Sequence, residues 1–243
     1  MSETHLSIII PAYNEEKRIG PTLESIFEFL AGRDYTGEVI LVDDGSSDKT
    51  VEVAKASARA HENFRVLENG ANRGKGYSVR HGMLEAKGKY LLFSDADLST
   101  PIEETTRFLE KMREGYHVVI GSRAMPESNI VTYQPWYRQL MGKTFNKIVR
   151  VMAVRGIKDT QCGFKMFTRE AGRRIFALQQ VERFAFDVEA LFLARKLGYK
   201  ICELPVTWKD SPQTRVSTFT DSWSMFSALF TIRLNSLRGR YKG

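Results

Sequence analysis

Short apolar runs alternate with longer amphipathic stretches through the first half of the chain. "LSIII" (residues 6–10) is an apolar, β-branched run closed by Pro11, and helical spacing follows over about residues 18–31. "EVILV" (38–42) reads as a second strand. "SSDKTVEVAKASARA" opens on Ser and Asp caps before a helix. "FRVLE" is a third strand, residues 77–86 are helical, "YLLFS" is a fourth strand, 102–114 a helix and "HVVIGS" a fifth strand. Continuous apolar strands alternating with helices predict a mainly parallel sheet covered on both faces, an α/β fold of Rossmann-like character. Ligands of such sheets sit beyond the carboxyl ends of the strands.

Four of those ends carry unusual polar residues. They are Pro11-Ala12-Tyr13-Asn14-Glu15, Asp43-Asp44-Gly45-Ser46, Asp95-Ala96-Asp97 and Gly121-Ser122-Arg123. In a doubly wound sheet they meet on one edge.

The second half changes character. Tyr137, Leu140, Met141, Thr144, Phe145, Ile148, Val149 and Met152 form one apolar stripe at helical spacing, with Arg138, Lys143, Lys147 and Arg150 opposite. This basic amphipathic helix suits a membrane surface or a core-packed helix with one solvated face. A second stretch closes the chain. Trp223, Phe226, Leu229, Phe230, Leu234 and Leu237 are followed by Arg238, Arg240 and Lys242, which suits an interfacial helix. The expected division is a main α/β domain over 1–217, including the basic helix at about 137–152, and a C-terminal amphipathic, membrane-surface helix over 218–243.

Composition narrows the classes. With 243 residues, 42% hydrophobic and 27% charged, the chain can bury a real core. Cys162 and Cys202 are too few for a disulfide framework or zinc cluster, and a reducing compartment is the default. The first five residues are polar, and no apolar run approaches the roughly 20 residues of a membrane-spanning helix. The net charge of +7 admits nucleic acid, an anionic membrane or phosphorylated substrates.

The chemistry starts at Asp95 and Asp97. Two like charges at the end of a buried strand repel unless a cation joins them. Hard oxygen ligands suit magnesium or manganese (Mg2+ or Mn2+), which also bind substrate phosphates. The bland alternative is that Asp97 caps the next helix, which starts near Pro101. Asp43 and Asp44 pose the same question: Ser46 and Asp48 can cap the next helix, leaving a carboxylate for a base or ribose. "GANRGKG" (70–76) fails both the Walker and the Rossmann spacing, yet a basic glycine-rich loop carrying Lys75 can approach a diphosphate. Arg123, Arg138, Lys209 and Arg215 are candidates for holding a phosphate, though singly each suits a surface charge as well. Cys162 suits a small packed residue better than a nucleophile, and spacing assigns no mechanism to the segment around it, "DTQCGFK". Asp187 and Glu189 alternate with large apolar residues on a helix, where carboxylates act as bases or pair with cations.

Together "IIIPAYNEE", "LVDDGSSDKT", "NRGKG", "SDADLST" and "GSR" resemble the family-2 inverting glycosyltransferases of GT-A fold, over residues 6–217. "DTQCGFKMFTRE" and "ERFAFDVEALFLARKLGYKICELPVTW" resemble the polyprenyl-phosphate branch, dolichyl-phosphate glucosyltransferases above all. The resemblance implies that Pro11, Tyr13, Glu15, Val42 and Asp44 hold the nucleoside. It implies that Asp95, Ala96 and Asp97 meet ribose, diphosphate and metal, and that Arg123 and Arg138 grip the lipid phosphate. Asp97, Arg123 and Arg138 are then the residues of catalysis, with Lys209 and Arg215 beside the lipid phosphate. Ser99 and Gly142 depart from the mannose synthases, which carry Gln and Ser there.

The implied reaction is transfer of a hexose from UDP-glucose to polyprenyl or dolichyl phosphate, giving a β-linked product on the cytoplasmic face of a membrane. GDP-mannose or another UDP-sugar is the alternative donor. A sugar nucleotidyltransferase and a non-enzymatic lipid- or nucleic-acid-binding module are the remoter readings. Bringing two anions together accounts for the basic balance, so no nucleic-acid partner is expected.

Overall fold

The structure is a computed structural model that describes residues 4–132, 154, 156–183, 185–209 and 220–242. Strands β1 (Leu6–Ala12), β2 (Gly37–Asp43), β3 (Phe64–Glu68), β4 (Tyr90–Ser94), β5 (Val118–Ser122), β7 (Phe164–Thr168) and β8 (Ile201–Pro205) form one sheet in the order β3-β2-β1-β4-β7-β5-β8. A small second sheet pairs β6 (Asn129–Thr132) with β9 (Thr207–Lys209). Helices are α1 (Ile19–Ala31), α2 (Thr50–Ser57), α3 (Lys75–Glu85), α4 (Thr105–Arg113), α5 (Arg169–Leu178), α6 (Phe186–Lys196) and α7 (Thr220–Leu237).

Pairing is parallel from β3 through β4 and between β5 and β8. Only β7 runs antiparallel, between β4 and β5. The carboxyl ends of β1, β2, β4 and β5 therefore share one edge, and β7 begins there, with Phe164 opposite Ser94.

Side-chain alternation in the strands builds two cores. Ile8, Ile10, Val39, Leu41 and Leu92 pack with α1, α2 and α4 on one face. Ile9, Ile40, Val42, Leu91 and Phe93 pack with α3, α5 and α6 on the other. A strand covered on both faces needs apolar residues at consecutive positions, as β1, β2 and β4 have. In α3 a glycine sits mid-helix, at a cost of about 1 kcal/mol relative to Ala. A Cβ at Gly82 would lie 2.4 Å from Ile9 Cγ2, so its absence lets α3 lie close on β1. Thr168 caps α5, its side chain accepting the Ala171 N–H, and so turns β7 directly into a helix.

Of the C-terminal stripe expected from the sequence, Leu229 is buried beside Ile232 and Tyr241, which were not part of it. All three lie in the second core, whereas Phe230, Leu234 and Leu237 of the stripe are exposed, and the side chains of Trp223 and Phe226 lie outside the described residues. The basic helix expected at about 137–152 lies outside the described residues, as do Arg138 and Arg215.

Candidate active site

The chain reverses as soon as β4 ends. Leu98 N–H donates to Asp95 O at 3.2 Å, and Leu98 sits at φ 45°. A left-handed residue that is not glycine costs roughly 1–2 kcal/mol, so the surroundings impose this turn. Three clamps do so. Asp95 N–H donates to Gly163 O at 3.1 Å, Thr22 Oγ1 donates to Ala96 O at 2.6 Å, and Lys209 N–H donates to Ser99 O at 2.8 Å. Asp97 Oδ1 accepts the Ser99 N–H at 3.0 Å, closing the turn. It caps no helix: the 3-10 turn at Ile102–Glu104 starts after Pro101 without a side-chain cap.

Both carboxylates face cations. Lys75 Nζ lies 2.6 Å from Asp95 Oδ1, with the two side chains 26% and 32% exposed. Apart from that ammonium, this buried oxygen has no hydrogen-bond donor among the described residues. Arg18 lies 3.8 Å from Asp97 Oδ2. Arg18 is itself held by Glu15, through Nε to Oε2 at 2.6 Å and Nη2 to Oε1 at 2.7 Å. Behind Lys75 lies a second pair. Lys165 Nζ, 1% exposed, donates to Asp187 Oδ1 at 2.5 Å and also to Cys162 O. Burial raises the Asp187 pKa against the pull of Lys165 and Lys75. Burial opposes the Lys75 charge, but Asp95 and Asp187 outweigh it and hold its pKa above the ordinary value.

At the end of β2 the two aspartates divide their work. Asp44 is occupied: Oδ1 accepts Asn69 Nδ2 at 2.9 Å and Arg73 N–H at 3.0 Å, and Oδ2 accepts Gly74 N–H at 2.8 Å. It thereby pins the glycine-rich loop and the start of α3. That loop is packed against protein, since a Cβ at Gly74 (φ 104°) would lie 2.6 Å from Glu182 O. Asp43 uses only Oδ2, on the Gly45 and Ser46 N–H groups, and its buried Oδ1 is unpartnered. The pattern along the chain left Asp43 and Asp44 as equal candidates, and only the family resemblance pointed to Asp44. Val42, also expected there, has its side chain fully buried under α3. Pro11 is partly buried at the end of β1, and Tyr13 is exposed just beyond it.

Arg123, at the end of β5, is gripped by Asp159. Nε and Nη2 meet the two carboxylate oxygens at 2.7 and 3.0 Å, and the Arg123 N–H adds a third bond. Burial works against the Asp159 charge, yet Arg123 and the Gln161 N–H hold its pKa down to about 2. Glu203 on β8 holds that segment by accepting the Lys158 and Asp159 N–H groups. Burial and Asp159 push the Cys162 thiol up to about 11, which fits a packed residue and not a nucleophile.

The "DTQCGFK" segment thus acquires a structural account. Asp159 aims Arg123, Gly163 makes room for Asp95, and Lys165 neutralises Asp187. A Cβ at Gly163 would sit 1.8 Å from Asp95 Oδ2. Glu189, a candidate base by sequence, is a fastener. It accepts the Gln180 and Val181 N–H groups and Tyr241 Oη, and burial raises its pKa.

A mainly parallel sheet with an acidic turn at its switch point, between the ends of β1 and β4, places a ligand site there, and the glycosyltransferases of GT-A fold are the class it matches. The Glycosyl transferase family 2 model matches residues 7–176, and the chain belongs to that family. It is 40% identical to the dolichyl-phosphate beta-glucosyltransferase of Drosophila melanogaster, over 98% of this chain and 77% of that protein. It is 35% identical to the human dolichyl-phosphate beta-glucosyltransferase over the same shares. Among solved structures, glucosyl-3-phosphoglycerate synthase from Mycobacterium tuberculosis, in complex with Mn2+, UDP and phosphoglyceric acid, matches at TM-score 0.69 and 19% identity. The match covers 98% of this chain and 79% of that one, and it speaks to the fold alone.

Proposed function

We propose that this chain transfers glucose from UDP-glucose to a polyprenyl phosphate such as dolichyl phosphate, with inversion, at the cytoplasmic surface of a membrane. The observation that carries the chemistry is Asp95: a buried carboxylate oxygen met only by the Lys75 ammonium among the described residues, at the switch point of the sheet. The likeness to dolichyl-phosphate beta-glucosyltransferases over nearly the whole chain supports the sugar and the acceptor.

Asp95 and Asp97 fit a magnesium or manganese ion that takes its remaining ligands from a diphosphate and water. Such an ion, when bound, stabilises the charge that builds on the departing nucleoside diphosphate. The free Oδ1 of Asp43 is an acceptor for the imide N–H of uracil, with Pro11, Tyr13 and Glu15 beside it at the end of β1. A phosphate oxygen of the acceptor attacks the anomeric carbon, the carbon–oxygen bond to UDP breaks, and an α-linked donor becomes a β-linked lipid phosphate. That phosphate is already anionic at neutral pH and needs little help from a base. Asp187, tied to Lys165, is therefore assigned no proton transfer.

Arg123, aimed by Asp159, and Lys209 are assigned to the acceptor phosphate, and the family resemblance adds Arg138 and Arg215, which lie outside the described residues. The exposed Phe230, Leu234 and Leu237 of α7, followed by Arg238 and Arg240, support docking on an anionic lipid surface. Among the described residues no helix is long and apolar enough to cross a membrane.

The test is transfer of label from a panel of nucleotide sugars into the organic phase, with polyprenyl phosphate and magnesium or manganese. UDP-glucose is expected to lead, Asp97→Ala to abolish transfer, and Arg138→Ala to raise the acceptor KM more than the donor KM. Equal use of GDP-mannose, or no organic-phase label from any donor, refutes the reading.

A further inference from the structure

We infer that Lys75 is the resident counter-cation of the acidic turn: it occupies Asp95 until a nucleoside diphosphate draws the ammonium away, so that the divalent ion binds well only together with the nucleotide. The inference rests on the metal-dependent reading above.

Four observations converge on it. The Lys75 ammonium is 2.6 Å from the buried Asp95 oxygen. The ammonium is thus the one close partner of that oxygen among the described residues, and it sits where a divalent ion would bind. Second, that ion pair is the only one Lys75 makes among the described residues. By contrast Arg18, which faces Asp97, is held bidentate by Glu15, so its guanidinium is committed.

Third, the base of the Lys75 side chain is fixed by the backbone, while its tip is held by the carboxylate and the face of Phe93. The start of α3 is clamped by Asp44 on the Arg73 and Gly74 N–H groups, by Tyr77 N–H on Glu182 O, and by Gln179 Nε2 on Gly76 O. Only the butyl stem must swing for the ammonium to pass from carboxylate to phosphate. Asp187 also attracts Lys75 but is already satisfied by Lys165, so it guides the ammonium without trapping it. Fourth, no group of three or more His, Cys, Asp or Glu among the described residues is arranged to hold a metal. Two carboxylates, one already neutralised, make a poor site for a free divalent ion. The diphosphate changes both conditions, since it brings new oxygen ligands and a stronger partner for the ammonium.

The experiment is titration of Mn2+ into the full chain, read by loss of the free-ion EPR signal, first with Mn2+ alone and then with saturating UDP. Wild type, Lys75→Met, Lys75→Arg and Asp95→Asn are compared, each checked for an unchanged thermal transition. Lys75→Met is expected to tighten Mn2+ alone at least tenfold and to weaken UDP binding at least tenfold. Lys75→Arg, which keeps the charge, should hold Mn2+ alone as weakly as wild type does. A Lys75→Met affinity for Mn2+ alone within twofold of wild type, or weaker, overturns the inference while Mn2+ uptake with UDP leaves the metal-dependent reading standing. If wild type takes up no Mn2+ even with UDP, that reading falls and this inference with it. Lys75→Gln replaces Lys75→Met should the latter unfold.

Discussion

Asp159→Asn perturbs one buried charge and its consequences can be worked through. The carboxylate is 1% exposed and is bound by both Nε and Nη2 of Arg123. Its pKa falls from 3.8 to about 2. At about 1.36 kcal/mol per pKa unit, that lowering corresponds to about 2 kcal/mol of folding stability. Because the folded pKa is lowered, that stability is fully present above pH 3.8 and is lost as pH falls toward 2. Breaking a buried ion pair from one side costs about 3–5 kcal/mol when the orphaned charge stays buried. Arg123 is 29% exposed, so water relieves part of that cost, and Asp159→Asn should destabilise the chain by about 2–3 kcal/mol at pH 7. Urea unfolding followed by tryptophan fluorescence measures it. At pH 3 the deficit of the variant should shrink by about 1 kcal/mol, since the wild-type carboxylate is by then losing its advantage. A variant within about 0.5 kcal/mol of wild type at pH 7, or a deficit unchanged at pH 3, would refute the reasoning. Activity should follow the same geometry: with its guanidinium no longer aimed, the variant should show a higher acceptor KM at a nearly unchanged donor KM.

Three further outcomes are expected. Gly163→Ala drives a methyl into Asp95 and should weaken Mn2+-dependent UDP binding by about two orders of magnitude in calorimetry, whereas unchanged binding would mean that Asp95 plays no part. Tyr241→Phe removes a donor from the buried Glu189 carboxylate and should cost about 1.5–3 kcal/mol, the worth of a hydrogen bond to a charged group, in urea unfolding. A cost near zero would show that the C-terminal segment is not fastened there. Cys162, buried and with its thiol raised to about 11, should resist iodoacetamide at pH 7.5 in the native chain and react once urea unfolds it; rapid native labelling confirmed at Cys162 by mass spectrometry would contradict the packing described.

Much of this was legible along the chain. The five strands and intervening helices of the first half stand where apolar periodicity predicts them, because each needs only a local pattern and a covered face. Asp95 and Asp97 announce themselves as charges at the end of an apolar strand. β7 was less visible. Its "FKMFT" carries a lysine that reads as a solvent position, yet Lys165 is buried against Asp187, 22 residues on. Asp43 and Asp44 are equivalent on paper. Only the fold shows that the glycine-rich loop consumes Asp44 and leaves Asp43 Oδ1 free.

The sequence by itself therefore determined the alternation of strands and helices in the first half and the acidic turn, since these depend on neighbours a few residues apart. Tertiary structure decided which cation faces which carboxylate, why position 163 must be glycine, and which side of the last helix is buried. Those facts arise from contacts between segments tens of residues apart, where charge balance and steric exclusion act and no local pattern records them.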